Sequence, residues 1–534
     1  MQAWDVVVVG ASVAALRGAI AAADAGATVT VLSSSSPSSF ADDATTSGLA
    51  TSSGETDPST HAADTHRVGA DLCENDIVAS TTSSAVDHLS QLEKWGLNLR
   101  RDRNGAPHLG QLPGQSNPRT ASTGDSTLRE VRSILEEQCM KRNIPRRGDI
   151  EILDVVFNAS PLQGGHISGL IALDIQSGEI FGIQAKSILI ADSGFQSAWR
   201  GDSTAMAPSA SLLHSKGIPL VDLEFTSSHP LVVADTNLCL PLDLLGSGGV
   251  VNGPDGQPMS TDEGPDALAH AILSAGSASL DLTEISRPDS PWFAGVAEAL
   301  SSRCGIDYTL ESIPLMPIVT TTIGGIPTGV SGNVVCGGWD DTIPGLFAAG
   351  DAACSGMHGA AMNSGDQLLT SLVSGATSGG SAAQHAVATK HTGSSAIAIS
   401  LSEAHHMHDS ILVDADSEGE TLGEIQTRLA TTMRANMGHE RSAAGLSNAK
   451  TTILELGETK IIISDKSRVM NTELVTMLRT KRLLTVALSA VVAASARKES
   501  RGTHVRTDHP DTDSGQANHS AVVGTSYQAL PLRS

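Results

Sequence analysis

The first 32 residues constrain this chain more than any other stretch. Asp5-Val6-Val7-Val8-Val9 is a short apolar run that stops at Gly10. Val13 to Ala25 is rich in alanine, and Gly26 stands where a helix would end. Thr28 to Leu32 is a second apolar run. Such runs read as strands buried on both faces, and the alanine-rich stretch as a helix closed by a glycine cap. The three predict a βαβ unit and hence a parallel sheet.

The turn inside that unit is Gly10-Ala11-Ser12-Val13-Ala14-Ala15. Small residues here let the backbone approach a pyrophosphate, where first-turn N–H groups and the helix dipole favour anions. Compared with GxGxxG, Ala15 is a tolerated third position. Ser12 replaces the second glycine, and its Cβ is expected to crowd the phosphate. The second strand ends at Ser33 instead of a ribose-binding acid; a serine can still hydrogen-bond a hydroxyl. A ligand-free βαβ turn is the plain alternative.

A second string is more specific: Gly345-Leu346-Phe347-Ala348-Ala349-Gly350-Asp351. In flavoproteins with two dinucleotide-domain segments, a late strand delivers a carboxylate to the ribityl chain of FAD. Asp351 is placed for that role, and the helix that follows, with Gln367 and Leu368, would face the flavin. A surface-turn aspartate is the bland reading.

Composition removes several classes. A chain of 534 residues calls for two to four domains. The net charge of −24 argues against nucleic acid or an anionic membrane as a direct partner. The six cysteines contain no CxxC pair, so neither a zinc site nor a cysteine-held iron–sulfur cluster is expected, and no metal. Reduced thiols suit a cytoplasmic protein. Asp5 and Arg17 interrupt the N-terminal apolar stretch and no basic leader precedes it, so no signal peptide is expected. Leu483 to Ala496 is about two-thirds of a membrane span and reads as a buried helix.

Further along, Ser33 to Thr60 reads as a long polar loop. Helices are expected over 85–95, 127–142, 367–376, 424–437 and 471–497. Strands are expected over 150–157, 167–175, 179–184 and 187–191. Residues 238–313 change to short mixed elements and read as an insertion. Residues 381–402 read as a low-complexity linker, and the last 30 or so as a docked or disordered tail.

With these motifs placed, the chain resembles the flavoprotein subunit of succinate dehydrogenase and fumarate reductase along nearly its whole length. The resemblance rests on Val6 to Ala15, Gly114-Gln115-Ser116, Arg119-Thr120-Ala121, Gly217 to Asp222, His229-Pro230, Ile323 to Thr328, Gly345 to Asp351 and His358-Gly359-Ala360. The most specific string is Arg497-Lys498-Glu499-Ser500-Arg501-Gly502-Thr503-His504 with Arg506, Asp508 and Pro510.

The resemblance implies an α/β fold: a Rossmann-like FAD-binding domain (1–237 and 314–385), an inserted α+β capping domain (238–313), a helical C-terminal domain (386–500) and a tail (501–534). It implies interconversion of succinate and fumarate, or a related substrate, by hydride transfer at flavin N5. Electrons would pass to an iron–sulfur subunit, with any membrane attachment, on the inner face, through partner subunits. Cofactor contacts are expected from Gly10, Ala11, Ser12, Ala14, Ala15, Ser33, Ala191, Gly194, Asp351, Gln367 and Leu368. His229 and His358 are the surviving catalytic candidates.

The departures bear on chemistry. The family's proton-carrying arginine falls on Pro265, its carboxylate-binding histidine on Thr320 and its clamping arginine on Met362. Between Gly201 and Thr389 the only Lys or Arg residues are Lys216, Arg287 and Arg303. A dianion without an arginine partner is poorly held. Arg119, Arg287 or His270 could serve as a replacement. The histidine that often links FAD covalently is missing from Ala44-Thr45-Thr46-Ser47, so noncovalent FAD is expected. An ATGG-like string reads Ala191-Asp192-Ser193-Gly194, and a GDG-like one Ala207-Pro208-Ser209. A noncatalytic relative kept for assembly is the alternative; a flavin enzyme for an uncharged or less charged substrate is a third reading.

Overall fold

Four parallel strands end side by side, and that shared edge positions everything that follows. The structure is a computed structural model that describes residues 2–34, 46–52, 57–201, 204–285, 290–413 and 419–533. Elements used below are, in chain order, β1 (Gln2–Val9), α1 (Val13–Asp24), β2 (Val29–Leu32), α2 (Pro58–Val68), α3 (Thr127–Lys141), β3 (Arg146–Arg147), β4 (Ile150–Phe157), β5 (Ile167–Asp174), β6 (Ile180–Ile190), α4 (Pro208–Ser215), α5 (Pro265–Ala275), β7 (Asn333–Val335), β8 (Thr342–Ala348), α6 (Asp366–Ala388), α7 (Ser395–Val413), α8 (Leu422–Asn436), α9 (Ala443–Glu458), α10 (Thr472–Ala496), β9 (His519–Val523) and β10 (Ser526–Leu530).

The main sheet runs β7-β8-β6-β1-β2-β3, with β4 and β5 attached as an antiparallel pair beside β6. The register sets Val9 opposite Leu32 and Ile190, and Ala348 opposite Ile190. Gly10, Ser33, Ala191 and Ala349 therefore follow at one edge, the carboxyl ends of parallel strands where open α/β sheets bind ligands. Val6, Val7 and Val8 are completely buried, as expected for a strand covered on both faces.

Helix α1 forms because alanine costs little in a helix and Ser12 caps its first turn. It packs closely on α6. A Cβ on Gly375 would lie 2.5 Å from the Ala14 carbonyl oxygen, and one on Gly379 would lie 2.1 Å from that of Gly18. Glycine is required at this crossing for lack of space.

Residues 238–313 carry three short strands, Val250–Asn252, Ser279–Asp281 and Ile313–Pro314, with α5. They share an apolar core that includes Leu240, Leu268, Ile272, Leu280 and Leu300. Helices α8, α9 and α10 pack in succession. Most of Leu483 to Ala496 is buried within α10, and among the described residues no helix is long and apolar enough to cross a membrane.

The architecture departs from the sequence expectations in two places. The strands expected over 179–184 and 187–191 are one strand, β6, whose polar Gln184 and Lys186 stand on partly exposed positions. The linker expected over 381–402 shrinks to residues 389–394: the first part continues α6, where Ala382, Ala383 and Ala386 are buried in the cluster that includes α1. The tail takes the docked one of its two expected states, since β9 pairs with both β10 and Leu220–Val221.

Candidate functional site

At the carboxyl edge of the sheet lies a cleft of about 1240 Å³, its open mouth included. Its walls include Gly10, Ala11, Ser12, Ser33, Asp351, Gln367 and Leu368. Residues as far apart in sequence as Gly10 and Leu368 are brought together because β1, β2 and β8 end at the same level. Ala14, Ala15, Ala191 and Gly194 stand behind the wall: the Ala191 carbonyl receives the Ser12 hydroxyl, and Gly194 abuts Thr322.

Gly10 has φ +120°, and a Cβ there would lie 2.2 Å from the Ala191 oxygen. Only glycine fits this turn. The crowding expected from Ser12 is relieved by its orientation. Its Oγ donates to Ala191 O at 2.7 Å and accepts from Ala15 N at 3.1 Å. The hydroxyl thus folds back as the cap of α1.

Several lining groups escaped the sequence reading. Asp192 is half-buried; its Oδ2 accepts from Ser209 N at 3.1 Å, while its Oδ1 is buried and has no partner. Burial pushes its carboxyl up to about 6 against the pull of the Ser209 hydrogen bonds. Gln196 Oε1 is a second buried acceptor without a partner on the same wall. Arg132, from α3, and Arg479, from α10, also line the cleft. Arg479 is held by Glu151 at 2.8 Å and donates to Ser34 O at 3.1 Å. A turn without side-chain bulk, two cations and two unfilled acceptors can take a molecule with an anionic middle and hydrogen-bond donors at its ends. A dinucleotide has that form.

Asp351 lies beside the neighbouring helix: Gln367 Nε2 is 3.4 Å from both of its oxygens. Asp351 and Gln367 also line a second cavity of about 850 Å³, and His358 lies on that wall. Burial holds the His358 imidazole down to about 4. The first turn of α6 is fixed by Asp366, which bonds His61 at 2.6 Å and Thr65 at 2.7 Å.

The residues expected around a substrate are arranged differently. His229 is buried and donates from Nε2 to Leu240 O at 2.7 Å; burial holds it down to about 4. It is a neutral group engaged with backbone. Met362 is buried in an apolar cluster with Leu72, Phe225, Ile323 and Ala360. Thr320 lines the dinucleotide cleft, and Pro265 opens α5.

The polar group that reaches this region is Asp266. Its Oδ1 accepts from Ser228 N at 2.7 Å, its Oδ2 from Ser227 Oγ at 3.0 Å, and its carboxyl also takes the Met362 N–H. Burial pushes it up to about 7. Nearby, buried Asp243 accepts from Gly48 N at 3.1 Å, which seats the inserted segment on the sheet domain. Arg119 is fully buried and paired with Asp64. Ala44, Thr45 and Arg287 lie outside the described residues.

The chain matches an FAD binding domain family over residues 5–368 and a fumarate reductase flavoprotein C-terminal family over residues 426–530. It is 27% identical to a fumarate reductase flavoprotein subunit of Haemophilus influenzae over 557 residues, covering 95% of this chain and 90% of the relative. It is 27% identical, with the same coverage, to a succinate dehydrogenase flavoprotein subunit of Rickettsia conorii. In structure it is similar to a quinol fumarate reductase chain of E. coli, with TM-score 0.91 and 24% identity over 100% of this chain and 97% of that one. An adenylylsulfate reductase of Archaeoglobus fulgidus shares the fold at TM-score 0.74 and 16% identity, over 100% and 96% of the two chains.

Proposed function

This chain belongs to the succinate dehydrogenase and fumarate reductase flavoprotein family, with FAD as its cofactor, and from that premise we propose that it is an oxidoreductase subunit that does not interconvert succinate and fumarate. Its substrate, on this reading, carries fewer than two carboxylates. It gives electrons to FAD, and an iron–sulfur partner takes them onward, at the inner face of the cell membrane where partner subunits anchor it.

The cleft at the strand ends fits FAD. Gly10 leaves room for the diphosphate, and Arg132 and Arg479 bring positive charge to it. Asp192 Oδ1 and Gln196 Oε1 offer unfilled acceptors to the nucleoside end. Asp351, steadied by Gln367, is placed for ribityl hydroxyls, with Leu368 beside it. Ala11, Ser12, Ser33, Ala14, Ala15, Ala191 and Gly194 shape the turn and its backing. Attachment is noncovalent. When bound, FAD supplies a hydride acceptor.

The single observation that carries the substrate reading is the loss of positive charge at three positions. The positions that resemble a dicarboxylate clamp and proton carrier hold Pro265, Thr320 and Met362, and the half-buried Asp266 carboxyl adds no positive charge. A dianion placed there would meet an acid and an apolar cluster, and the Arg67 guanidinium on the same wall is already paired with Asp64 and Glu263. Neutral His229, already bonded to Leu240 O, adds no positive charge. The test is titration with malonate, an unreactive dicarboxylate, while the flavin absorption is recorded. No spectral change up to tens of millimolar supports the reading; a saturable change at micromolar malonate refutes it.

A noncatalytic assembly subunit is favoured by one contact, that of Asp243 with Gly48 N, which holds the inserted segment down on the sheet domain. That reading requires a purified chain that does not retain or bind FAD.

A further inference from the structure

Two imidazoles from distant parts of the chain meet where α5 touches the C-terminal helices. His270 stands on the fourth helical position after Asp266, so both share one face of α5. His439 follows α8, 169 positions further along the chain. The ring centroids are 4.1 Å apart with the planes inclined by 51°. His270 Nδ1 and His439 Nε2 are both buried and have no hydrogen-bond partner. Both rings line a cavity of about 1090 Å³, whose walls also include Asp266, Glu263 and the Arg67 cation paired with Glu263.

Burying an imidazole nitrogen without a partner costs on the order of 1–3 kcal/mol, and here two adjoining rings each carry one. A water could serve one of them. A pair of unpartnered imidazole nitrogens beside carboxylates is also the donor set preferred by borderline divalent transition ions.

We propose that His270 and His439 form a binding site for a zinc-like divalent transition cation, which joins the inserted segment to the C-terminal helices. Among the described residues no group of three His, Cys, Asp or Glu side chains is arranged around one point. The two imidazoles are therefore the protein ligands, and water from the cavity completes the shell. Asp266 stays engaged with Ser227, Ser228 and Met362, and supplies field in place of a bond. Two imidazoles in adjacent positions on an ion, each nitrogen about 2.1 Å away, have ring centres roughly 4.5–5 Å apart. The rings thus part by about half to one ångström on binding. The bound ion cross-links α5 to the loop after α8, which opposes any swing of the inserted segment.

The test uses the full chain, stripped with a chelator and titrated with Zn²⁺ by calorimetry, beside His270→Ala and His439→Ala. Thermal melting without metal checks that both variants fold. The expected result is one Zn²⁺ site in the wild type that each variant weakens at least tenfold, with exposed His405 and His406 on α7 unchanged as background. Cu²⁺ loading of the wild type alone gives an independent readout: two nitrogen couplings in the electron paramagnetic resonance spectrum. Equal Zn²⁺ binding in wild type and variants, no binding, or a Cu²⁺ signal without two nitrogens would each overturn the proposal.

Discussion

Asp192 accepts the backbone N–H of Ser209 at 3.1 Å and so ties the loop after β6 to the first turn of α4. The same carboxyl lines the cleft beside Gly10, with its other oxygen unpartnered. Its value of about 6, raised by burial, makes it neutral in mild acid and charged above neutrality. A charge here opposes a diphosphate. FAD affinity of the wild type should therefore rise as pH falls through about 6. Asp192→Asn should remove that dependence and bind FAD about tenfold more tightly at pH 8, equivalent to about 1.4 kcal/mol. Fluorescence titration of the apoprotein with FAD at pH 5 and pH 8 checks both statements.

Arg479 is the C-terminal helices' contribution to the same cleft. Arg479→Met removes a cation and its contact with Ser34 O, while Arg482 still holds Glu151 at 2.7 Å. A hydrogen bond from a charged group is worth roughly 1.5–3 kcal/mol, so FAD affinity should fall roughly 10- to 100-fold. The wild type should also lose affinity with salt more steeply than the variant. An unchanged dissociation constant would remove Arg479 from the site.

His519 bridges two acids, with Asp222 at 2.5 Å and Glu74 at 3.1 Å. Burial acts to lower its value, but the charge and hydrogen bond of Asp222, with Glu74, outweigh it and raise it to about 9. A histidine raised on folding contributes stability that is complete below its ordinary 6.5 and lost as pH climbs through 9. The change is on the order of 3 kcal/mol. Urea unfolding at pH 6.5 and pH 10 should show that loss. His519→Ala leaves two buried carboxylates facing each other, should be destabilised at pH 6.5, and should show a much shallower decline toward pH 10.

The βαβ unit could be read from sequence because its strands are buried on both faces and so carry unbroken apolar runs. The Gly345–Asp351 string was legible for the same reason. What the hydroxyl of Ser12 does could not be read, since it depends on the position of Ala191 on another strand. Arg479 lies 445 positions from the Ser34 carbonyl it holds, and no local pattern announces such a contact. The small residues of α6 hid a helix because glycine and serine look like linker until α1 is packed against them. Asp266 was visible as a residue but not as a raised carboxyl: that depends on its burial against Ser227, Ser228 and Met362.

The most direct test of the account is the visible absorption spectrum of the purified protein without oxygen, before and after succinate and then dithionite. The account predicts a flavin spectrum that succinate leaves unchanged and dithionite bleaches. Bleaching by succinate would contradict it, and would require a proton carrier and a dianion clamp outside Pro265, Thr320 and Met362.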